Sequence, residues 1–232
     1  MNPVSLKEAK ELFDGVKKGV KNTEAEVVVC PPFIYLAEFN GLPLGAQNVF
    51  YKEKGAFTGE VSPLMLKDLG VEYVLIGHSE RRKYFAETNE DINKKVKVAL
   101  EAGLKVVLCV GEQEGEDKLP IITTQVNEGL AGVSNVKGQM SNVAIAYEPV
   151  WAIGTGKNCS VDETMKSILL IRKMATDLYS RETADSVRIL YGGSVKAENA
   201  VGYIKEAGAN GLLVGGASLD AKEFTKIIKS VE

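Results

Sequence analysis

Short apolar, β-branched runs recur along this chain at regular spacing, at residues 26–30, 43–48, 73–77, 105–110, 143–147, 187–191 and 211–214. Most are apolar throughout instead of alternating, the pattern of parallel strands buried on both faces. Stretches of helical period separate them, clearest at 89–102, 119–130, 162–179, 196–206 and 221–231. Repeated strand–helix units of this kind restrict the chain to the α/β class with a parallel sheet. No Pro/Ser-rich linker or low-complexity segment breaks the series, so residues 1–232 read as one domain.

The chain nevertheless opens on a helix with no strand ahead of it. Leu6, Ala9, Leu12, Phe13, Val16 and Val20 recur at three- and four-residue steps, and Ser5 with Glu8 reads as a capping box. Doubly wound sheets usually have five or six strands and a closed βα barrel has eight, so seven runs is an awkward number. An open sheet fits that count, although no run leads into GxGxxG or a Walker-type lysine loop. An eight-stranded barrel without its first strand fits it too, and would begin with a bare helix.

Composition narrows the partners. A net charge of −3 with Lys and Arg scattered, and no basic stripe, argues against nucleic acid and anionic membranes. Cys30, Cys109 and Cys159 are far apart, odd in number and without metal-ligand spacing, which suits free thiols in a reducing compartment. No apolar run approaches the roughly 20 residues of a membrane span, and the polar N-terminus is no secretory signal. The expectation is a soluble, cytoplasmic protein.

In βα barrels the chemistry gathers at the C-terminal ends of the strands. Run 73–77 leads into GHSERR, 105–110 into CVGE, 143–147 into YEPVWAIGTG, 187–191 into YGGS and 211–214 into VGGAS. His78 is the only histidine and sits where YVLIG meets a helix start at Ser79. It is either a satisfied structural histidine or a functional one, kept neutral by the adjoining helix N-terminus. Glu148 follows VAIAY, where a carboxylate is partly desolvated unless paired. It is either a buried glutamate held by backbone N–H groups or a general base tuned by burial. The Gly-punctuated AIGTGK reads as an ordinary loop or a mobile lid. The two Gly-rich turns YGGS and GGAS stand where barrels commonly bind phosphate. Glu80, Arg81 and Arg82 read as a helix cap with ion pairs, and Gln47 and Asn48 as structural. Phe57, in the loop from Gly55 to Ser62, marks either a partner surface or a loop folded on its own core.

Together GAQN, GAFTGEVS, IGHSERR, CVGE, AYEPVWAIGTG, ILYGGSV and GLLVGGASL resemble, in the same order, the motifs of the triosephosphate isomerase family, from about Asn2 to the C-terminus. The resemblance implies a (β/α)8 TIM barrel. It also implies interconversion of glyceraldehyde 3-phosphate and dihydroxyacetone phosphate through an enediolate, in glycolysis and gluconeogenesis, without metal or cofactor. In the residues it implies Glu148 as the base, His78 as the neutral group that polarises the carbonyl and Glu80 as a supporting carboxylate. Gly154, Ser194, Gly215 and Gly216 match phosphate-binding positions. Residues 149–157 match a lid that keeps water from the enediolate, and the loop from Gly55 to Ser62 matches one that docks into the partner of a homodimer.

One departure accompanies the resemblance. The family pattern begins with a strand ending in Asn-x-Lys-Met, and Met1-Asn2 matches what directly follows that lysine. The implied architecture is thus a barrel lacking its first strand, with seven strands in this chain and the lysine and asparagine absent. Lys7 and Lys10 lie within the first helix and Lys105 begins its run, so none replaces the lysine. Losing even one oxyanion donor costs roughly 10²–10³-fold in rate, and unpaired edges are expected at 26–30 and 211–214. The alternative reading is a truncated, catalytically impaired barrel that binds phosphate ligands or serves as an interaction protein. A Schiff-base aldolase needs a lysine near the C-terminal end of a strand, and none of the seven runs supplies one.

Overall fold

The apolar runs lie side by side in chain order, as one parallel sheet curled into the arc of a barrel. The structure is a computed structural model that describes residues 1–133 and 139–232. Its strands are β1 (Gly45–Ala46), β2 (Tyr73–Ile76), β3 (Lys105–Val110), β4 (Val143–Tyr147), β5 (Arg188–Tyr191) and β6 (Gly211–Leu212), each paired with the next. The helices are α1 (Leu6–Gly19), α2 (Pro63–Asp68), α3 (Ser79–Phe85), α4 (Asn89–Glu101), α5 (Lys118–Gly129), α6 (Val161–Leu178), α7 (Arg181–Ser186), α8 (Ala197–Lys205) and α9 (Ala221–Ser230). The longer ones begin and end within one residue of the sequence expectation. The short α2 and α7 were not expected, since six residues carry too little period to read. Each starts on a serine cap, Ser62 accepting from the Met65 N–H and Ser180 from the Thr183 N–H.

Seven strands were expected, and the described residues show six and a bridge. Run 26–30 lies beside β1 but pairs only through Val29, whose N–H donates to Pro43 O at 3.0 Å and whose C=O accepts from the Gly45 N–H at 2.9 Å. Proline explains the shortfall. Pro31 and Pro32 follow the run at once and Pro43 stands opposite it, and none of the three has an N–H to extend the ladder.

Both faces of the sheet are apolar, which is why the runs do not alternate. Tyr73, Val107, Cys109, Ala144 and Ala146 form an interior cluster. Val28 from the bridged run and Leu213 just past β6 pack on that same cluster, so the curl brings both sheet edges to one interior. The opposite face, with Ile76, Leu108, Ile145 and Ile189, joins helix residues such as Ile92, Ile122 and Ile171 in the larger core.

The opening helix finds its place against the last one. Gly15 and Gly19 of α1 face Ala221 and Thr225 of α9, and a Cβ on Gly15 would come within 2.7 Å of the Ala221 Cβ. The first and last helices are therefore neighbours. The capping box of α1 is offset: Ser5 Oγ accepts from the Glu8 N–H at 3.2 Å, but the Glu8 carboxylate reaches the Val4 N–H instead of the cap residue's own. Among the described residues no helix is long and apolar enough to cross a membrane.

Candidate active site

β2 delivers His78 to the C-terminal mouth of the sheet. Gly77 lies between them with φ +77°, a conformation that glycine adopts without strain. The Arg82 guanidinium fastens this corner, donating to Gly77 O at 2.8 Å and to Cys109 O at the end of β3 at 3.3 Å. His78 is the N-cap of α3, and its Nδ1 accepts from the Glu80 N–H at 3.3 Å. An Nδ1 that accepts has no proton, so the neutral ring carries its proton on Nε2. Nε2 stands 3.2 Å from Glu148 Oε1.

Glu148 leaves the end of β4 and is buried, with a side chain 2% exposed. Its N–H donates to Val110 O at 2.7 Å, continuing the ladder to β3. Its other carboxylate oxygen, Oε2, accepts from the Ser79 N–H at the start of α3, at 3.1 Å. Burial raises the Glu148 pKa above the ordinary carboxylate value, and His78, the Ser79 N–H and the Cys109 thiol pull it partly back. Two glycines make room for this residue. A Cβ on Gly111 would overlap the Glu148 carbonyl, and one on Gly192 would sit 2.9 Å from Glu148 Cγ.

Glu112, two residues past β3, organises the loop that follows Glu148. Its carboxylate is buried, and Oε1 accepts from the Tyr147 hydroxyl at 3.0 Å and the Trp151 indole N–H at 3.1 Å. Its backbone C=O takes the Val150 N–H at 3.0 Å. The loop 149–157 is thereby tied down at its start, while Gly154 to Lys157 stand exposed. Sequence reasoning did not single out Glu112, although the signal that marks Glu148, a carboxylate closing an apolar run, fits it as well. Cys109 and Ser79, both touching Glu148, were missed for want of any local signal.

The structure brings Glu148 and His78 together. Glu80 is more remote: its carboxylate is largely exposed and lies 3.8 Å from His78 Nδ1. Gly215 and Gly216, at the turn after β6, are exposed with no atom within 4 Å of where a Cβ would stand, and Gly154 is equally open. Ser194 is engaged, its hydroxyl donating to Ala152 O at 2.6 Å and so joining the turn after β5 to the loop after β4. Gln47 and Asn48 are structural as expected: Gln47 Nε2 donates to Cys30 O at 2.9 Å, and Asn48 Oδ1 accepts from the buried Lys95 ammonium at 2.9 Å.

Comparison with known proteins accords with this arrangement. A family model described as triosephosphate isomerase matches residues 1–231. The chain belongs to the triosephosphate isomerase family. It is 51% identical to the triosephosphate isomerase of Thermoanaerobacter sp. over 231 positions, covering 95% of this chain and 92% of that protein. It is 50% identical to that of Caldanaerobacter subterraneus subsp. tengcongensis, with the same coverage. It is 48% identical to that of Alkaliphilus oremlandii over 238 positions, covering 98% and 95%.

In this member of the triosephosphate isomerase family the loop from Gly55 to Ser62 stands almost wholly at the surface. Phe57 folds toward its own chain, its ring 4.7 Å from that of Phe50, yet stays 40% exposed. Leu64 and Met65 on α2 are exposed as well, as are Tyr84 and Phe85 at the end of α3.

Proposed function

We propose that this chain is a triose-phosphate isomerase that interconverts glyceraldehyde 3-phosphate and dihydroxyacetone phosphate in the glycolytic and gluconeogenic sequence of the cytoplasm. The observation that carries the reading is a buried carboxylate, Glu148, 3.2 Å from the Nε2 of a histidine whose other nitrogen accepts a helix N–H. Glu148 takes a proton from the carbon next to the substrate carbonyl, and the electron pair moves onto the carbonyl oxygen. The His78 Nε2–H donates a hydrogen bond to that oxygen. Glu148 then returns the proton to the adjacent carbon, while the hydroxyl proton passes between the two oxygens within reach of His78.

Burial suits Glu148 to this task, because a carboxylate with a raised pKa is a better match for a weakly acidic carbon. Glu80 supports the pair through its backbone N–H, which donates to His78 Nδ1 at 3.3 Å and so keeps the ring's proton on Nε2. Gly154, Ser194, Gly215 and Gly216 receive the substrate phosphate, three of them with open space in front of the backbone. Residues 149–157 close over the enediolate and exclude water. The loop from Gly55 to Ser62 docks into the partner subunit of a homodimer, with Phe57 at its tip.

The test is turnover of triose phosphate by the purified 232-residue chain and by its Glu148→Gln variant. Loss of a general base should lower kcat roughly 10²–10⁴-fold without unfolding the protein. Turnover that survived this change would remove Glu148 from the role of base. Tight binding of a phosphorylated enediolate mimic without turnover would support a phosphate-ligand-binding barrel instead.

A further inference from the structure

The loop 149–157 is anchored at its two ends, of which Glu112 holds the first, with Ser194 tying Ala152 between them. The second is at Cys159, where phenols meet both backbone groups of one buried residue. The Cys159 N–H donates to the Tyr191 hydroxyl at 3.2 Å, and the Cys159 C=O accepts from the Tyr203 hydroxyl at 2.8 Å. The Tyr203 hydroxyl also accepts from Asn158 Nδ2 at 3.2 Å. The two rings are stacked, with centroids 3.8 Å apart and planes at 23°. Tyr191 ends β5 and Tyr203 lies on α8, and both are fully buried. A strand and a helix therefore hold the far end of an exposed loop through two hydroxyls locked by one ring stack.

We propose that Tyr203 is a positioning residue for the isomerase reaction: its hydroxyl fixes Asn158 and Cys159 as the post from which residues 149–157 close over the site. This rests on the reading of that loop as a lid. Without the hydroxyl, the buried Cys159 C=O loses its partner and must shift toward water to regain one. The post then loosens, and ordering it again opposes closure whenever a ligand draws the lid down.

The test compares the full chain with Tyr203→Phe, which keeps the stacked ring, and with Asn158→Ala, which alters only an exposed partner of the same hydroxyl. Hydrogen exchange of the free protein is read at residues 149–160 and, as a control, in β3 and β4. Loss of one buried hydrogen bond should speed exchange at the loop by roughly two- to tenfold in Tyr203→Phe. Asn158→Ala should do so less, with β3 and β4 unchanged in both. Trp151, the only tryptophan, then reports closure by its emission as 2-phosphoglycolate is added. Tyr203→Phe should weaken that response by a similar factor while inorganic phosphate, too small to need the lid, binds as before. Unchanged loop exchange, or acceleration spread evenly over β3 and β4, would overturn the proposal. Faster loop exchange in a protein whose parent chain binds no 2-phosphoglycolate would leave the post in place and overturn the isomerase reading instead.

Discussion

The two mouths of the curled sheet use the same side chain in opposite ways. At the N-terminal mouth Glu26 meets the Arg188 guanidinium at 2.6 Å and the Tyr73 hydroxyl, with Lys105 bridging to Tyr73 at 3.1 Å and to Glu72 at 3.6 Å. Every charge there has a partner and stays partly in water. The Tyr73 hydrogen bond, followed by Arg188, holds the Glu26 pKa below its ordinary value. At the C-terminal mouth Glu148 has shed its water, and His78, the Ser79 N–H and the Cys109 thiol offset that burial only in part, so its pKa moves up. Partners set the first case and desolvation the second. One end of the sheet uses its carboxylate to tie strands together, and the other holds one that burial has made easier to protonate.

Changes at the C-terminal mouth should cost activity, and changes at the N-terminal mouth should not. The largest effect on this contrast, after removal of the proposed base Glu148, is expected from His78→Asn. Losing the proposed donor to the developing oxyanion should lower kcat roughly 10²–10³-fold, with melting temperature little changed. A variant that retained full kcat would place the carbonyl elsewhere.

An intermediate effect concerns stability. Because the folded-state pKa of Glu148 is raised, the folded protein holds that proton more tightly than the unfolded chain does. The cost of burying the carboxylate is absent below its unfolded pKa and complete once pH passes the folded value. Glu148→Gln should therefore melt higher than the parent protein at pH 8 and lose that advantage near pH 4, as read by thermal unfolding in a pH series. An advantage that grew on acidification would contradict the raised pKa.

The smallest effect belongs to the other mouth. Arg188→Ala should cost at most about 1 kcal/mol, because the Glu26–Arg188 pair is half in water. Glu26 has a lowered pKa, so its contribution is present above the unfolded value and lost as pH falls through the folded one. The difference between Arg188→Ala and the parent should shrink on acidification. Turnover per folded molecule should stay the same, and a clear fall in kcat would mean that the two mouths are coupled.

Much of this was legible in the sequence, for reasons that can be named. The longer helices are marked by both period and cap: Thr88, Asp117, Ser160 and Asp220 each accept from the first-turn N–H groups of their helices. Glu148 and His78 stood out because a charged or titratable group at the end of an apolar run violates the pattern around it. The failures have a different origin. Run 26–30 has strand composition, but the prolines around it decide how many hydrogen bonds it makes. Glu112 and Trp151 meet across 39 positions, and Tyr203 and Cys159 across 44, so no local pattern announces either contact.

Gly111 has a consequence at the level of the gene. Its hydrogen faces the Glu148 backbone across the seam between β3 and β4, where a methyl group would overlap the carbonyl. Any single-base change in the first two positions of a glycine codon replaces glycine with a residue that carries a Cβ, or with a stop. Every such missense allele would displace the proposed base before altering any charge. In a mutational scan, codon 111 should tolerate synonymous third-base variation and little else, a fixed letter in a stretch of sequence that otherwise looks like unremarkable loop.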